Sequence, residues 1–143
     1  MIFWEILEIM REDDKRYTLN SYVDVQGTGM NKIIAMKEDT VTVVRGDGTI
    51  EELPWHYIKP VVLTEEIMLS IGFAILKKIS NTHHIDLNFN IRLNGRFYNS
   101  RGVIYKDDTI WSFYGVSIRY LHQLQQIFWI IEPKYIFNIL PTK

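Results

Sequence analysis

The four histidines of this sequence are the side chains best suited to acid–base or metal chemistry: His56, His83, His84 and His122. A catalytic histidine needs a nucleophile within hydrogen-bond reach and a third group that orients the ring. No nucleophile-elbow sequence accompanies any of the four. His83 and His84 are adjacent, and adjacent residues of a strand point to opposite faces, so both cannot bind a single ion unless the strand bends. The sequence therefore predicts no metal and no cofactor, and His122 is the best candidate for an unrecognised acid–base pair.

Paired carboxylates and glycine-rich loops are the next candidates for chemistry. The acidic pairs are Asp13-Asp14, Glu51-Glu52, Glu65-Glu66 and Asp107-Asp108. Each pair falls at a predicted turn, strand end or helix start, where solvated acids are expected. The glycine loops 27–29 and 46–48 are not followed by a helix whose amino terminus would hold a phosphate, so both indicate hairpin turns. We predict no catalytic residue, and an enzyme is the less favoured class.

Four polar side chains of a late helix form a candidate recognition surface. Arg119 and Gln123 are four residues apart, as are His122 and Gln126, so each pair shares one side of the helix. Such side chains combine donors and acceptors in a geometry that suits a partner backbone or a small polar ligand. The alternative is that they cap the edge of the core and hydrogen-bond neighbouring loops. We take these four as the candidate binding residues.

The charge balance argues against non-specific binding of nucleic acid by the whole surface. The 143 residues include 16 Lys and Arg and 17 Asp and Glu, and the formal net charge is -1. The chain therefore has no overall positive electrostatic potential that would attract a polyphosphate backbone. A local basic patch is the alternative, and it would draw on Lys77, Lys78, Arg92, Arg96 and Arg101. Aromatic residues that could line a pocket or contact surface cluster in the same half of the chain: Tyr98, Tyr105, Trp111, Phe113, Tyr114 and Tyr120.

Short segments rich in β-branched residues, each closed by a turn, predict a small Tudor-like antiparallel β-barrel over residues 18–60. Its strands are expected at 22–26, 32–36, 40–45 and 49–53. A meander of this size closes most easily into a barrel, because closure removes the exposed edges. A turn or short 3₁₀ segment at 53–58 then returns the chain to the barrel.

A short linking helix is predicted at 64–72. Thr64 is placed to cap its first amides, and the carboxylates of Glu65 and Glu66 lie at the positive end of its dipole. Gly72 is placed to stop it.

An antiparallel sheet covered by a carboxyl-terminal helix is predicted after that helix. The expected strands are 73–80, 84–93, 96–105 and 109–114. Asn94-Gly95 is the strongest hairpin signal in the chain. In 84–93 apolar and polar residues alternate, which predicts one buried and one wet face. The helix 117–131 carries an apolar stripe and is expected to pack across this sheet.

The composition is typical of one α+β domain in the cytoplasm. The chain is 47% hydrophobic, which is enough to offset chain entropy, and it contains no cysteine, which fits a reducing compartment. Glu5 and Glu8 interrupt the apolar start of the chain, unlike a signal peptide or a membrane span. The predicted organisation is a single compact unit, 1–143. Its subregions are a helical extension (1–16), the barrel (18–60), the linking helix (64–72) and the sheet with its helix (73–143).

Two stretches carry motifs that look familiar. One is Leu63-Thr64-Glu65-Glu66 followed by Gly72-Phe73, and the other is Tyr120 followed by His122-Gln123-Leu124-Gln125. Together they resemble a family of small uncharacterised proteins from phages and mobile elements of Bacteroidetes-type bacteria. The resemblance covers about residues 19–128. It implies a barrel-like first half and a late helix, and it carries no established activity.

We therefore expect a binding or interaction protein of a phage or mobile element, with a host or defence component as one candidate target. Its partner would be an unknown protein or a small polar ligand, and no membrane association is expected. Oligomerisation stays open. Two alternatives also stay open: a nucleic-acid-binding module that uses the small barrel, and an enzyme with an unrecognised acid–base site.

Overall fold

The computed structural model of the chain describes residues 17–93, 95–106, 109–113 and 116–132. Within these residues ten strands form two separate five-stranded antiparallel sheets, accompanied by two α-helices and one 3₁₀ turn. The predicted α+β class is therefore confirmed. The predicted helical extension, 1–16, lies outside the described residues.

The first sheet is a meander whose buried side chains alternate along the strands. Its strands are β1 (Tyr22–Val25), β2 (Met30–Met36), β3 (Thr40–Val44), β4 (Ile50–Pro54) and β5 (Ile58–Pro60), in the order β4-β3-β2-β1-β5. A 3₁₀ turn at Trp55–Tyr57 separates β4 from β5. The inner side is a small apolar core: Val23, Val25, Ile33, Val41, Val43 and Ile58. The four predicted strands are confirmed, and the short strand β5 is an addition to them.

The first sheet does not show the predicted closed barrel in the described part of the chain. β4 and β5 are its two edges, and β5 pairs with β1 through Val25 and Ile58. Each edge strand ends in proline, at Pro54 and Pro60. Proline has no amide hydrogen to donate, so it is typical of edge strands. Pro54 and Pro60 therefore reduce the number of backbone hydrogen bonds that β4 and β5 could form with each other. The sheet is open, and the Tudor-like comparison stays a prediction.

The second sheet confirms the alternation that the sequence predicted. Its strands are β6 (Ala74–Ser80), β7 (His84–Leu93), β8 (Arg96–Tyr105), β9 (Thr109–Phe113) and β10 (Val116–Ile118), in the order β10-β9-β8-β7-β6. β7 and β8 form a hairpin of ten residue pairs, from His84↔Tyr105 to Leu93↔Arg96. Four inward-facing residues of β7 are buried: Leu87, Phe89, Ile91 and Leu93.

The first helix, α1 (Glu65–Ser70), forms where the sequence predicted it. The Thr64 hydroxyl accepts a hydrogen bond from the Ile67 amide at 3.1 Å, which satisfies one of the free amides at the helix start. Gly72 has a φ of 113°, which lets the chain leave the helix and enter β6.

The second helix, α2 (Leu121–Ile131), begins later than the sequence predicted. Val116 and Ile118 are buried while Ser117 between them is exposed, a period-two pattern that places this segment in strand β10. Its register pairs Ile118 with Trp111 of β9. Ser117 and Ile118 were predicted to be helical, but their backbone pairing with β9 places them in a strand.

Helix α2 contacts both sheets. On the second sheet its Phe128 packs against Phe73 and Phe113, with ring centroids 5.9 and 5.7 Å apart. On the first sheet its Gln125 side chain accepts from the Tyr22 amide at 2.9 Å and donates to the Asn20 carbonyl at 3.0 Å. The predicted packing on the second sheet is confirmed, and α2 in addition contacts the first sheet.

The segment before α1 is fastened to the second sheet by Trp111. The Trp111 indole N–H donates to the Leu63 carbonyl at 3.0 Å, and the Leu63 amide donates to the Arg119 carbonyl at 3.0 Å. The Trp111 ring lies so close over Gly102 that a Cβ there would overlap it. These contacts fix the linking segment to the start of α2.

Candidate functional site

The four binding residues predicted from the sequence do not share an exposed surface. Arg119 is exposed, whereas His122, Gln123 and Gln126 are buried, with 1%, 6% and 6% of their surface accessible. The side-chain Oε1 of Gln123 accepts hydrogen bonds from the backbone amides of Arg119 and Tyr120 at 2.8 and 3.0 Å. Gln123 thus satisfies amides at the start of α2, which is the alternative role considered for this set. Recognition by these four residues stays a prediction.

Gln125, which the sequence reasoning passed over, makes the long-range contacts of this helix. It is fully buried and joins α2 to the chain around β1. A signal for it exists in the sequence. Gln125 stands four residues after Leu121 and three before Phe128, on the apolar stripe itself, where a polar side chain needs a buried partner.

The histidines are dispersed over the fold. His56 packs against Tyr57 with ring centroids 4.5 Å apart, and His84 packs against Tyr105 at 5.6 Å. His122 lies between the rings of Tyr17 and Tyr120, at 4.8 and 5.8 Å. Across the described residues no group of three or more His, Asp and Glu side chains is arranged to hold a metal ion.

Two clefts of small-ligand size open on the first sheet. One, of about 360 Å³, is lined by Asp24, Pro60 and Thr64 among others, and the second, of about 450 Å³, by Trp55 and Lys59 among others. The Asp24 carboxylate accepts from two amides of the 27–29 loop at 3.2 Å, and the Thr64 hydroxyl caps α1. These two polar groups serve local structure. Glu66 also lines the first cleft, and Tyr17 and His56 line the second.

The outer face of the second sheet presents an exposed set of functional groups. The register places alternate residues of β6 to β9 on this side, away from the core, and none of them is buried. We call this surface the open face. Its residues are Ala74, Lys77, Ile79, His84, Asp86, Asn88, Asn90, Arg92, Phe97, Asn99, Arg101, Val103, Tyr105, Ile110 and Ser112.

A row of hydrogen-bonding side chains crosses the open face. The register aligns Lys77, Asn88, Arg101 and Ser112, and Ser117 of β10 continues the row. With neighbouring strands about 4.8 Å apart, this row spans about 19 Å. All five side chains carry donors, so the row suits a ligand rich in acceptor oxygens.

Aromatic rings flank this row on both sides. Phe97 and Tyr105 lie near opposite ends of β8 and expose 62% and 44% of their surface. The Arg92 guanidinium lies 5.7 Å from the centre of the Phe97 ring. Tyr105 belongs to the aromatic set predicted for a contact surface, whereas Trp111 and Phe113 of that set are core. Phe97 was missed because phenylalanine is normally buried, although its place opposite Arg92 on the wet face was a usable signal.

The charged groups of the open face form one strong pair and leave a basic excess. Arg101 donates twice to Asp86, at 3.0 and 2.5 Å. These hydrogen bonds from Arg101 are the main reason that the pKa of Asp86 lies below its ordinary value. Lys77 and Arg92 add positive charge, and Asp86 is the single acid on this face among the described residues.

The predicted basic patch is divided between two surfaces. Lys77, Arg92 and Arg101 lie on the open face. Lys78 faces the other way and pairs with Glu65 at 3.5 Å, and Arg96 lies opposite the inward-facing Leu93. The predicted patch therefore contributes three of its five cations to one surface.

Comparison of this chain with protein-family models, with curated proteins and with solved structures finds no match. Neither of the described helices is long and apolar enough to cross a membrane.

Proposed function

We propose that this chain is a non-catalytic binding protein and that the open face is its binding surface. The observation that carries the proposal is the exposure of this face. It displays Phe97 and Tyr105 beside a row of donors, while the opposite face of β7 and β8 is closely packed. Large exposed aromatic rings that are surrounded by polar groups are typical of interaction sites.

The distribution of reactive groups favours binding over catalysis. His122, the candidate acid–base residue, is buried between two tyrosine rings and lines neither of the two clefts described above. The Asp24 carboxylate and the Thr64 hydroxyl of the first cleft hold a turn and a helix start. An enzyme is therefore the weaker candidate.

The resemblance to small phage and mobile-element proteins supports a proposed setting for this binding role. In that setting the partner is a component of the host cell or of its defence. The shared motif around Leu63-Thr64-Glu65-Glu66 forms the capped start of α1, and the motif around His122 forms the buried start of α2. Both motifs therefore have structural reasons to recur, which leaves the open face to determine what is bound.

Nucleic-acid binding by the first sheet is the second candidate considered from the sequence. The first half of the chain argues against it, because residues 17–73 contain eight Asp and Glu and four Lys and Arg. Residues 74–113 contain three Asp and six Lys and Arg. A polyanion is thus favoured on the second sheet over the first.

The proposal is tested by affinity capture from host lysate with three forms of the chain. The forms are wild type, the open-face double variant Phe97→Ala/Tyr105→Ala, and the control Leu19→Ala/Ile50→Ala. The control removes two exposed apolar side chains from the first half of the chain, with 52% and 64% of their surfaces accessible. Proteins, nucleic acids and small molecules are identified in each eluate. Material that the control retains and the open-face variant loses supports the proposal, and identical eluates from all three forms contradict it.

A further inference from the structure

We infer that the ligand of the open face is single-stranded nucleic acid, an inference that rests on the proposed function. The face combines, on one accessible surface, a basic excess, exposed aromatic rings and a row of hydrogen-bond donors. Proteins that bind single strands use these three features together. Each feature contributes separately to the argument.

Charge complementarity is the first feature. The formal net charge of -1 conceals a division of the chain into an acidic region, 17–73, and a basic region, 74–113. Within the basic region Lys77, Arg92 and Arg101 all point outward from the sheet. Three cations that neutralise three phosphates of a single strand predict a slope of about -2 for log affinity against log salt, since each phosphate contributes about 0.7.

The exposed rings are the second feature. A base offers a flat apolar surface that stacks on an aromatic ring whatever its sequence. Phe97 and Tyr105 are eight residues apart on β8, which places them about 27 Å apart along the strand. The polar row lies between them. A single strand that follows β8 would therefore stack at both ends and place its backbone over Arg101, with Arg92 of β7 and Lys77 of β6 on the strands alongside.

The shape of the surface is the third feature, and it separates single strands from duplexes. The sequence of a duplex is read in its major groove by a protruding helix or a two-stranded ribbon. The open face is the outer side of a sheet, and α2 lies on its opposite side. Unstacked bases reach such a surface, whereas paired bases do not.

The inference is tested by fluorescence anisotropy with a labelled mixed-sequence oligonucleotide of about 16 nucleotides. The three probes are single-stranded DNA, single-stranded RNA of the same sequence and the corresponding duplex DNA. We expect tighter binding of at least one single strand than of the duplex. Affinity for that strand should fall about 15-fold between roughly 50 and 200 mM salt. The DNA and RNA probes distinguish the two sources of the same chemistry.

Two substitutions on the face sharpen the test. Arg101→Ala should reduce the salt slope by about 0.7, while the control Lys59→Ala, which removes an equal charge from the first sheet, should leave it unchanged. Phe97→Ala should weaken binding about tenfold. Circular dichroism and thermal melts establish that each variant is folded.

Asp86 supplies the most discriminating variant. Its carboxylate repels a phosphate and holds the Arg101 guanidinium through two hydrogen bonds. Asp86→Asn removes this negative charge and should strengthen binding several-fold. A surface that binds a basic or neutral partner would not gain affinity from this change.

The outcomes separate the inference from the proposed function. If neither single strand binds, or if the duplex binds equally well, the inference is wrong. If the open-face double variant still loses captured protein from lysate in that case, the proposed function stands without it. If the open-face variants change neither the material captured from lysate nor the binding of oligonucleotides, both the proposed function and the inference are wrong.

Discussion

The role of Gln125 as the link between helix α2 and the first sheet leads to a stability prediction. The side chain is fully buried and makes two hydrogen bonds, one with the Tyr22 amide and one with the Asn20 carbonyl. Gln125→Met keeps the length of the side chain and its apolar contacts but removes both hydrogen bonds. The substitution therefore leaves one amide and one carbonyl to find other partners inside the protein.

The expected cost follows from those two groups. A buried polar group that loses its partner costs about 1–3 kcal/mol, so two such groups predict a loss of about 3 kcal/mol in the free energy of unfolding. For a chain of this size that corresponds to about 6–12 °C in Tm. Gln125→Ala should cost more, because it adds a cavity to the same loss.

Urea unfolding followed by circular dichroism measures this change. Asn99→Ala, an exposed residue of the open face, is the control and should stay within about 0.5 kcal/mol of wild type. Hydrogen exchange of the Tyr22 amide gives a local readout and should accelerate in Gln125→Met. A Gln125→Met protein as stable as the control would show that α2 does not hold the first sheet through this side chain.

Three further predictions concern the second sheet and the metal content. Gly102→Ala should lower the free energy of unfolding by about 3 kcal/mol, because the new Cβ overlaps the Trp111 ring, and denaturant unfolding that gives no loss would contradict this close packing. The hydrogen bond that Tyr98 donates to Glu132 at 2.6 Å is the main reason that the pKa of Tyr98 lies above 10.0. The Tyr98–Glu132 hydrogen bond should therefore contribute fully to stability below pH 10, and this contribution should be lost as the pH rises through the raised pKa of Tyr98. Spectrophotometric titration of tyrosinate checks this, and Glu132→Gln should move the Tyr98 titration down towards its ordinary range. Thermal melts with and without a strong chelator should coincide, since the sequence predicts no structural metal, and a drop of several degrees would refute that prediction.

Local patterns in the sequence predict most of the strands correctly. The alternation in β7 and the Gly95 turn fix the register of the central hairpin, because a one-residue slip would expose the whole apolar set. The Thr64 cap likewise predicts the start of α1. The short strands β5 and β10 were missed because three residues carry too little periodicity, and their pairing with β1 and β9 decides their conformation.

The candidate site depends on long-range geometry, which the sequence pattern did not supply. His122, Gln123 and Gln126 looked like a polar helix surface, but α2 lies between two sheets and all three are buried. The exposed face of the second sheet was predicted as wet. Phe97 belongs to this face because the β7–β8 register places it beside Arg92, a local signal that the burial usually expected of phenylalanine obscured.

Photocrosslinking in cells that express the chain tests the binding role of the open face most directly. A photoreactive phenylalanine analogue is placed at Phe97, at Tyr105 and, as the control on the first sheet, at Ile50. We predict crosslinked species from positions 97 and 105 that are absent from position 50. Crosslinks from position 50 alone, or none from positions 97 and 105, would contradict the open face as the binding surface.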